Sequence, residues 1–337
     1  MPYHGGSELA DVYAAARADG YGFFASNVTH YDILVGLLQG ADRVGADAVV
    51  QVGHDTAAFY GGGDPRVGLD AIGAYLDRFA AFTDVGVFCN VDHVHLPDQR
   101  GFLDAVVQTG VASSVMVDAS DRPFEENVSL TREAVERVRE GPGRTLVEAE
   151  LGRVAGTESG VETAAEDAFY TDPDEAVEFV ERTDCDLLAV SVGTQHGVAS
   201  DRNLDIRPSV ARDVGEALRE AGHEVPLVVH GASGVSDAGI EAFLDAGVPK
   251  FNKNTRYQYE YARTAADFYH EHADAIRPPD GVPDDRGSMF AGSEWSPDRS
   301  YFHPHVVAGE IRDRLAAVMA DLCRLTGCVG RSLYTDD

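Results

Sequence analysis

Short apolar runs alternate with amphipathic stretches along most of the chain. The eight runs are YGFFAS (21–26), DAVVQV (47–52), VGVFCNV (85–91), SSVMVD (113–118), TLVEAE (145–150), DLLAVSVG (186–193), PLVVH (226–230) and VPKFN (248–252). Between them lie helical patterns such as YDILVGLLQGADRVG and RPSVARDVGEALREAG. Strands separated by helices of that length predict parallel βαβ units. Eight such units predict an α/β fold of the closed (β/α)8 TIM-barrel type, and no GxGxxG follows the first strand as a doubly wound dinucleotide-binding sheet would require.

The pattern predicts one domain over residues 1–337, with a barrel core at about 20–265 and a C-terminal excursion and helix at about 266–337. The segment 275–300 is rich in Pro, Gly and Asp, which predicts a long excursion. Behind it, HVVAGEIRDRLAAVMADLCRL has the pattern of a helix that packs on the barrel. A second stretch, GRVAGTESGVETAAEDAFYTDP (152–173), predicts a long loop after the fifth strand, where lids occur in barrels.

Charge narrows the function classes. The chain has 57 acidic and 27 basic residues and a formal charge of −30, so no basic surplus exists to bind a nucleic-acid backbone. Lysine occurs only at Lys250 and Lys253, and acidity combined with lysine depletion predicts adaptation to a high-salt cytoplasm. Schiff-base chemistry needs a lysine amine in a pocket, and with two candidates in one short segment a metal-dependent route is favoured.

Compartment is suggested by cysteine usage and by the N-terminal segment. Four cysteines without a CxxC pair predict reduced, mostly buried thiols in a cytoplasmic protein. The segment MPYHGGSELADVYAAARADG lacks the basic and apolar regions of a signal peptide. No apolar run approaches the roughly 20 residues that span a bilayer.

Three histidines, His93, His196 and His230, each follow a different predicted strand. Neutral imidazoles that converge from separate strands are typical of a catalytic zinc that keeps one coordination position open. Further polar residues stand near strand ends, namely Asp92, Asp118, Glu148, Glu150 and Asn252. Because active sites of (β/α)8 barrels lie at the C-terminal ends of the strands, we expect these side chains on one rim. GASG (231–234) and NKNT (252–255) follow the last two strands and predict a phosphate site there.

The strings VDH, SVMVDAS, FEENV, VEAELG, GTQHG, VVHGASG and KFNKNT, in this order, resemble the class II, metal-dependent fructose-bisphosphate aldolases and their tagatose-bisphosphate relatives. The resemblance covers about residues 7–265. It implies a zinc ion on His93, His196 and His230, with Asp118 and Glu150 at positions that hold a second or alternative divalent ion. It also implies an oligomer, dimeric or larger.

The same resemblance assigns catalytic roles. It gives Asp92 the proton of the C4 hydroxyl, Glu158 the proton at C3 of the dihydroxyacetone phosphate moiety, and Asn252 a contact to the enediolate. Substrate and phosphate contacts fall on Asn27, Gly197, Gly231, Ser233, Asn254 and Thr255, with a monovalent cation, K⁺ or Na⁺, supporting that site. Glu148 is expected one layer deeper in the barrel than Glu150, because residues two apart on a strand face the same side.

Some positions depart from the family pattern. Gly53 stands where many members have a phosphate-binding serine, and Ala155 replaces a common glycine in the mobile loop. His305 stands where relatives have an arginine that grips the far phosphate, so Arg299 or Arg256 would have to substitute. His95 is expected to be a surface loop residue, although exchange with a ligand stays open, and His54, His303 and His305 are not expected to bind metal.

Several functions therefore stay open. The leading expectation is reversible zinc-dependent cleavage of fructose 1,6-bisphosphate, a step of glycolysis and gluconeogenesis. The same chemistry on another ketose phosphate, such as tagatose bisphosphate or a ketose 1-phosphate, is the first alternative. A zinc hydrolase on the same histidines and a sugar-phosphate binding protein with a structural metal are further alternatives. For Asp92 itself a separate alternative stays open, in which it orients a neighbouring ligand rather than carrying a proton.

Overall fold

The structure is a computed structural model that describes residues 3–152, 154–158, 161–163, 169–197 and 205–334. Eight parallel strands close into a barrel, and their numbers follow the chain, in which three further strands lie outside the barrel. The barrel strands are β1 Phe23–Asn27, β2 Ala48–Gly53, β3 Val87–His95, β4 Ser114–Asp118, β5 Leu146–Leu151, β8 Leu187–Val190, β10 Leu227–Val229 and β11 Lys250–Lys253. Each pairs with the next in this order, and β11 pairs with β1. The predicted (β/α)8 barrel is confirmed.

Helices lie between the strands, as the amphipathic patterns predict, and further helices follow the barrel. They are α1 Gly6–Asp19, α2 Tyr31–Arg43, α3 His54–Tyr60, α4 Pro65–Ala80, α5 Arg100–Thr109, α6 Phe124–Arg139, α7 Pro173–Thr183, α8 Pro208–Glu220, α9 Asp237–Asp245, α10 Thr255–Glu271, α11 Ala273–Ile276, α12 Arg299–Phe302 and α13 Pro304–Thr326. Asp64, Asp172 and Ser236 accept backbone N–H groups at the first turns of α4, α7 and α9. None of the described helices is both long and apolar enough to cross a membrane.

The C-terminal helix α13 packs closely on α2. Gly36 and Gly40 provide the space, because a Cβ at Gly36 would lie 2.8 Å from the Leu315 side chain. A Cβ at Gly40 would lie 2.5 Å from the Ala316 carbonyl oxygen. The predicted helix behind the Pro- and Gly-rich excursion is therefore present and packs on α2 with close backbone contact.

The stretch after β5 differs from the prediction of a long loop. Its described residues form β6 (Ala155–Glu158) and β7 (Val161–Thr163), which pair antiparallel. β6 also pairs in parallel with β9 (Gln195–His196), which completes a three-stranded sheet outside the barrel. The small and polar residues here lack the apolar alternation that identifies a buried strand, so the backbone pairing leaves no signal in the sequence.

The hydrophobic core fills the layer between barrel strands and helices, where Phe88, Phe179, Phe243 and Phe251 are fully buried. All four cysteines are buried and unpaired, as their spacing predicts. Polar side chains are concentrated instead inside the barrel, toward the carboxyl ends of the strands.

Candidate active site

A bulge in β3 supplies two neighbouring residues of the site. The strand extends to His95, four residues beyond the apolar run, and its register against β4 shifts between Val91 and Val94. His93 within this bulge has φ 42°, a left-handed conformation that is uncommon for a residue other than glycine. Successive side chains of a regular strand point to opposite faces. The bulge instead lets Asp92 and His93 line the same cavity.

His93, His196 and His230 meet at this rim, as predicted. All three are buried, and one ring nitrogen from each lies within 4.8 Å of the others. Nε2 of His93 is 3.0 Å from Nδ1 of His230. These three imidazoles come from β3, β9 and the residue directly after β10.

Carboxylates next to the rings of His93 and His230 set the direction of their ligand nitrogens. Nε2 of His230 donates to Glu148 Oε1 at 2.8 Å, and Nδ1 of His93 lies 3.1 Å from Asp118 Oδ2. With these nitrogens protonated, Nδ1 of His230 and Nε2 of His93 present lone pairs to each other. Burial lowers the pKa of His230 and favours the neutral ring that binds metal. The donor set therefore fits a divalent ion such as Zn²⁺.

Glu148 belongs to a buried ion pair. Its other oxygen accepts from the ammonium of Lys250, and both side chains are fully excluded from solvent. Burial opposes ionisation of Glu148, but the Lys250 charge and the His230 hydrogen bond prevail and lower its pKa to about 2. The sequence placed Glu148 one layer deeper than the rim, and there it holds His230 in place. The signal for Lys250 was its rarity, since the chain has two lysines.

His95 lies in a different environment from the surface loop that we expected. It is the last residue of β3, its side chain is 19% exposed, and its Nδ1 is 3.3 Å from Asp118 Oδ2. Donor atoms of His93, His95 and Asp118 form a second close group. His93 and His95 are two residues apart on the strand and therefore face the same side. The expectation that His95 lies in a loop did not include this relation.

Glu150 sits beside this group without joining it. Its Oε1 lies 3.5 Å from the Ser120 hydroxyl, and its Oε2 has no hydrogen-bond partner among the described residues. Burial, and then the charges of Asp118 and Glu148, raise its pKa well above the usual value for glutamate. Glu150 therefore favours its neutral form in this environment.

Asp92 is buried and held by two amides. Asn27 donates to its Oδ2 at 2.9 Å, and Asn252 donates to its Oδ1 at 3.3 Å. Gln51 in turn donates to the Asn27 oxygen at 3.2 Å. Two amides thus hold the Asp92 carboxylate in the described part of the site, an arrangement that favours a role toward substrate.

The GASG turn approaches the backbone before His196. Gly231 has φ 68°, and a Cβ there would lie 2.7 Å from the Gln195 carbonyl oxygen, so a larger residue cannot occupy the position unchanged. Ser233 accepts the Asn254 N–H at 3.3 Å, which ties the turn to the start of α10 at Thr255.

One small cavity joins these parts. Its lining consists of Asn27, Asp92, His93, His196, Gly197, His230, Gly231, Ser233, Asn252, Asn254 and Thr255. Every one of these was proposed from the sequence. Glu158 ends β6, and its side chain lies outside the described part of the chain. Arg299 begins α12, is exposed, and does not line the cavity.

The rim of the barrel thus combines a three-histidine group that could hold a metal ion, a buried aspartate and a turn of small residues. Residues 7–331 match the family described as fructose-bisphosphate aldolase class-II. The chain belongs to this family, whose members are lyases.

Curated relatives match in part of their length. "Uncharacterized protein YdjI" of Escherichia coli K12 is 48% identical over 143 residues, which cover 42% of this chain and 48% of that protein. "D-tagatose-1,6-bisphosphate aldolase subunit GatY" of Klebsiella oxytoca is 38% identical over 190 residues, or 55% of this chain and 63% of that protein. The matched regions therefore span about half to two thirds of these relatives.

Solved structures match over nearly the whole chain. The YdjI aldolase from E. coli K12 has a TM-score of 0.69 at 26% identity, with 98% of this chain and 100% of that chain covered. Fructose-bisphosphate aldolase from Campylobacter jejuni has a TM-score of 0.79 at 21% identity, with 98% and 97% covered. The second likeness concerns the fold alone.

Proposed function

We propose that the protein is a zinc-dependent aldolase that reversibly cleaves fructose 1,6-bisphosphate to dihydroxyacetone phosphate and glyceraldehyde 3-phosphate. The supporting observation is that one cavity joins three histidine nitrogens, the amide-held Asp92 and the GASG turn. Aldol cleavage needs these three elements together, whereas hydrolysis of another bond has no need for a dihydroxyacetone phosphate site.

His93, His196 and His230 would hold the zinc ion, which supplies a Lewis acid for the enediolate charge that develops on cleavage. Asp92 accepts the C4 hydroxyl proton as the C3–C4 bond breaks. Asn27 and Asn252 keep the Asp92 carboxylate turned into the cavity through their amide hydrogen bonds.

Glu158 would return a proton to C3 of the dihydroxyacetone phosphate moiety. It ends β6, and β6 pairs with the strand that carries His196. The phosphate of that moiety would contact backbone and side-chain donors of Gly197, Gly231, Ser233, Asn254 and Thr255. Asn252 would contact the enediolate.

The aldehyde partner is less strongly defined than the chemistry. Arg299 does not line the cavity of this chain, and His305 is exposed on α13. One curated relative is named for tagatose bisphosphate rather than fructose bisphosphate. Cleavage of another ketose phosphate is therefore the second candidate function.

Zinc-loaded protein should be assayed on fructose bisphosphate, tagatose bisphosphate and the ketose 1-phosphates, with a coupled assay for dihydroxyacetone phosphate. A preference of at least about tenfold in kcat/KM for fructose bisphosphate supports the proposal, since that corresponds to about 1.4 kcal/mol of differential binding. Equal turnover of monophosphates contradicts the bisphosphate assignment, and release of inorganic phosphate alone contradicts the aldolase.

We further propose a cytoplasmic homo-oligomer, dimeric or larger, with a second divalent ion near Asp118 and K⁺ or Na⁺ near the phosphate. Light scattering would measure the assembly. Metal analysis of His95→Ala and Asp118→Asn would test the second ion: loss of one equivalent, with the zinc equivalent retained, is the expected result.

A further inference from the structure

The two lysines of this chain are both buried, although lysine is among the residues most often exposed. Lys250 is fully buried and paired with Glu148. Lys253 is 6% exposed, and no carboxylate among the described residues forms an ion pair with it. Burial of an ammonium is unfavourable unless another interaction offsets it, so Lys253 needs a different explanation from Lys250.

The contacts of Lys253 lead to the GASG turn. Its Nζ donates to the Ala232 carbonyl oxygen at 2.8 Å and lies 4.7 Å from the centroid of the Phe24 ring. Ala232 begins a single 3₁₀ turn that ends at Gly234. The next residue of the chain, Asn254, donates its N–H to Ser233. Two consecutive residues at the end of β11 therefore hydrogen-bond to this turn, Lys253 through its ammonium and Asn254 through its backbone N–H.

None of the eleven described residues that line the cavity is lysine or arginine, and the one acidic group among them is Asp92. A phosphate would enter beside that carboxylate in a chain of charge −30. The other charges that act on Lys253 are Arg256, which is paired with Glu260, and Asp237. Burial and the Arg256 charge lower the pKa of Lys253 to about 8. A nearby anion would favour its charged form.

We propose that Lys253 is a positioning residue for the substrate phosphate. Its ammonium binds the Ala232 carbonyl, holds the turn in place against the anion, and supplies positive charge from a site that water barely reaches. The inference rests on the proposed function, which places a phosphate against GASG. Charge interactions across a buried region are screened less than those at the surface.

Lys253→Met removes the charge and keeps an apolar chain over Phe24, whereas Lys253→Gln keeps a hydrogen-bond donor without charge. Arg263→Gln is the matched control, because Arg263 is an exposed cation on α10 that pairs with Asp267. Calorimetry on the zinc-loaded full chain would measure the Kd of inorganic phosphate, and kinetics would separate KM from kcat.

We expect Kd and KM to rise about tenfold or more in both Lys253 variants, as for loss of a charged hydrogen bond. We expect kcat to change by less than about threefold, since Asp92 and the histidines are untouched, and the control to match the wild type. Unchanged phosphate affinity in a folded Lys253→Met overturns the inference, and wild-type affinity in Lys253→Gln overturns the role of charge. A wild type that does not bind phosphate contradicts the proposed function instead.

A second measurement needs no variant. Protein with ¹³Cε-labelled lysine should give two NMR signals, one for each lysine of the chain. Added phosphate should shift the Lys253 signal and leave the signal of Lys250 in place. Two unmoved signals at saturating phosphate would overturn the proposal even if the Lys253 variants fail to fold.

Discussion

Lys250→Met tests how the barrel interior is stabilised. The substitution leaves the Glu148 carboxylate buried with the His230 ring as its remaining partner. Breaking a fully buried ion pair from one side costs about 3–5 kcal/mol of unfolding free energy. The lowered pKa of Glu148 agrees in direction, because the folded state stabilises the ionised carboxylate through the Lys250 charge and the His230 hydrogen bond.

The pH dependence has a defined direction. Because folding lowers the pKa of Glu148, its contribution is complete above the unfolded value near 4.5 and disappears as the pH falls toward 2. The wild type should lose this part of its stability within that window. The Lys250→Met variant should show a smaller loss there, since it lacks the stabilised carboxylate.

Urea unfolding of the metal-free protein, followed by circular dichroism, would measure the effect. The double variant Glu148→Leu/Lys250→Met should recover most of the lost stability, because no charge is then left without a partner. Arg263→Met serves as the surface control and should cost less than about 1 kcal/mol. A cost below about 1 kcal/mol for Lys250→Met, or a double variant no more stable than the single one, would refute the reasoning.

Three further outcomes are expected. Asp92→Asn should lower kcat by about 10²–10⁴-fold with unchanged zinc content by mass spectrometry, whereas zinc loss would assign Asp92 to ligand support. Gly40→Ala should lower the thermal midpoint, because the new Cβ would lie 2.5 Å from the Ala316 oxygen; Gly309→Ala on α13 meets no atom within 4 Å and should be neutral or stabilising. Molar KCl should raise the thermal midpoint of the wild type by screening a charge of −30, and a decrease would contradict adaptation to salt.

Sequence reasoning located the rim of the barrel well because parallel strands bring their carboxyl ends together. Once the apolar runs were recognised, the barrel topology placed His93 and His230 at one rim, whereas His196 lies on β9, beyond the end of the barrel strand β8. The lining of the cavity follows from the same geometry. The hydrophobic periodicity of a segment depends on its own residues, and this local pattern is enough to identify the strands and helices of the barrel.

The misses arise where a residue's environment depends on backbone irregularity or on distant pairing. His95 was expected on the surface because the strand was expected to end at residue 91. The sheet of β6, β7 and β9 depends on a register between segments about 40 residues apart. Arg299, which was expected to replace the family's arginine for the far phosphate, lies outside the described lining of the cavity.

The left-handed conformation of His93 in the β3 bulge also limits how far the conformational stability of this protein can be raised. A non-glycine residue in the left-handed region costs about 1–3 kcal/mol, and that conformation is what turns two consecutive side chains to the same side. Selection for thermal stability alone would therefore favour either a regular strand or a glycine at position 93. Either change would take the His93 imidazole out of the cavity that Asp92 lines, so under the proposed function a gain in thermal stability would lower the rate of catalysis.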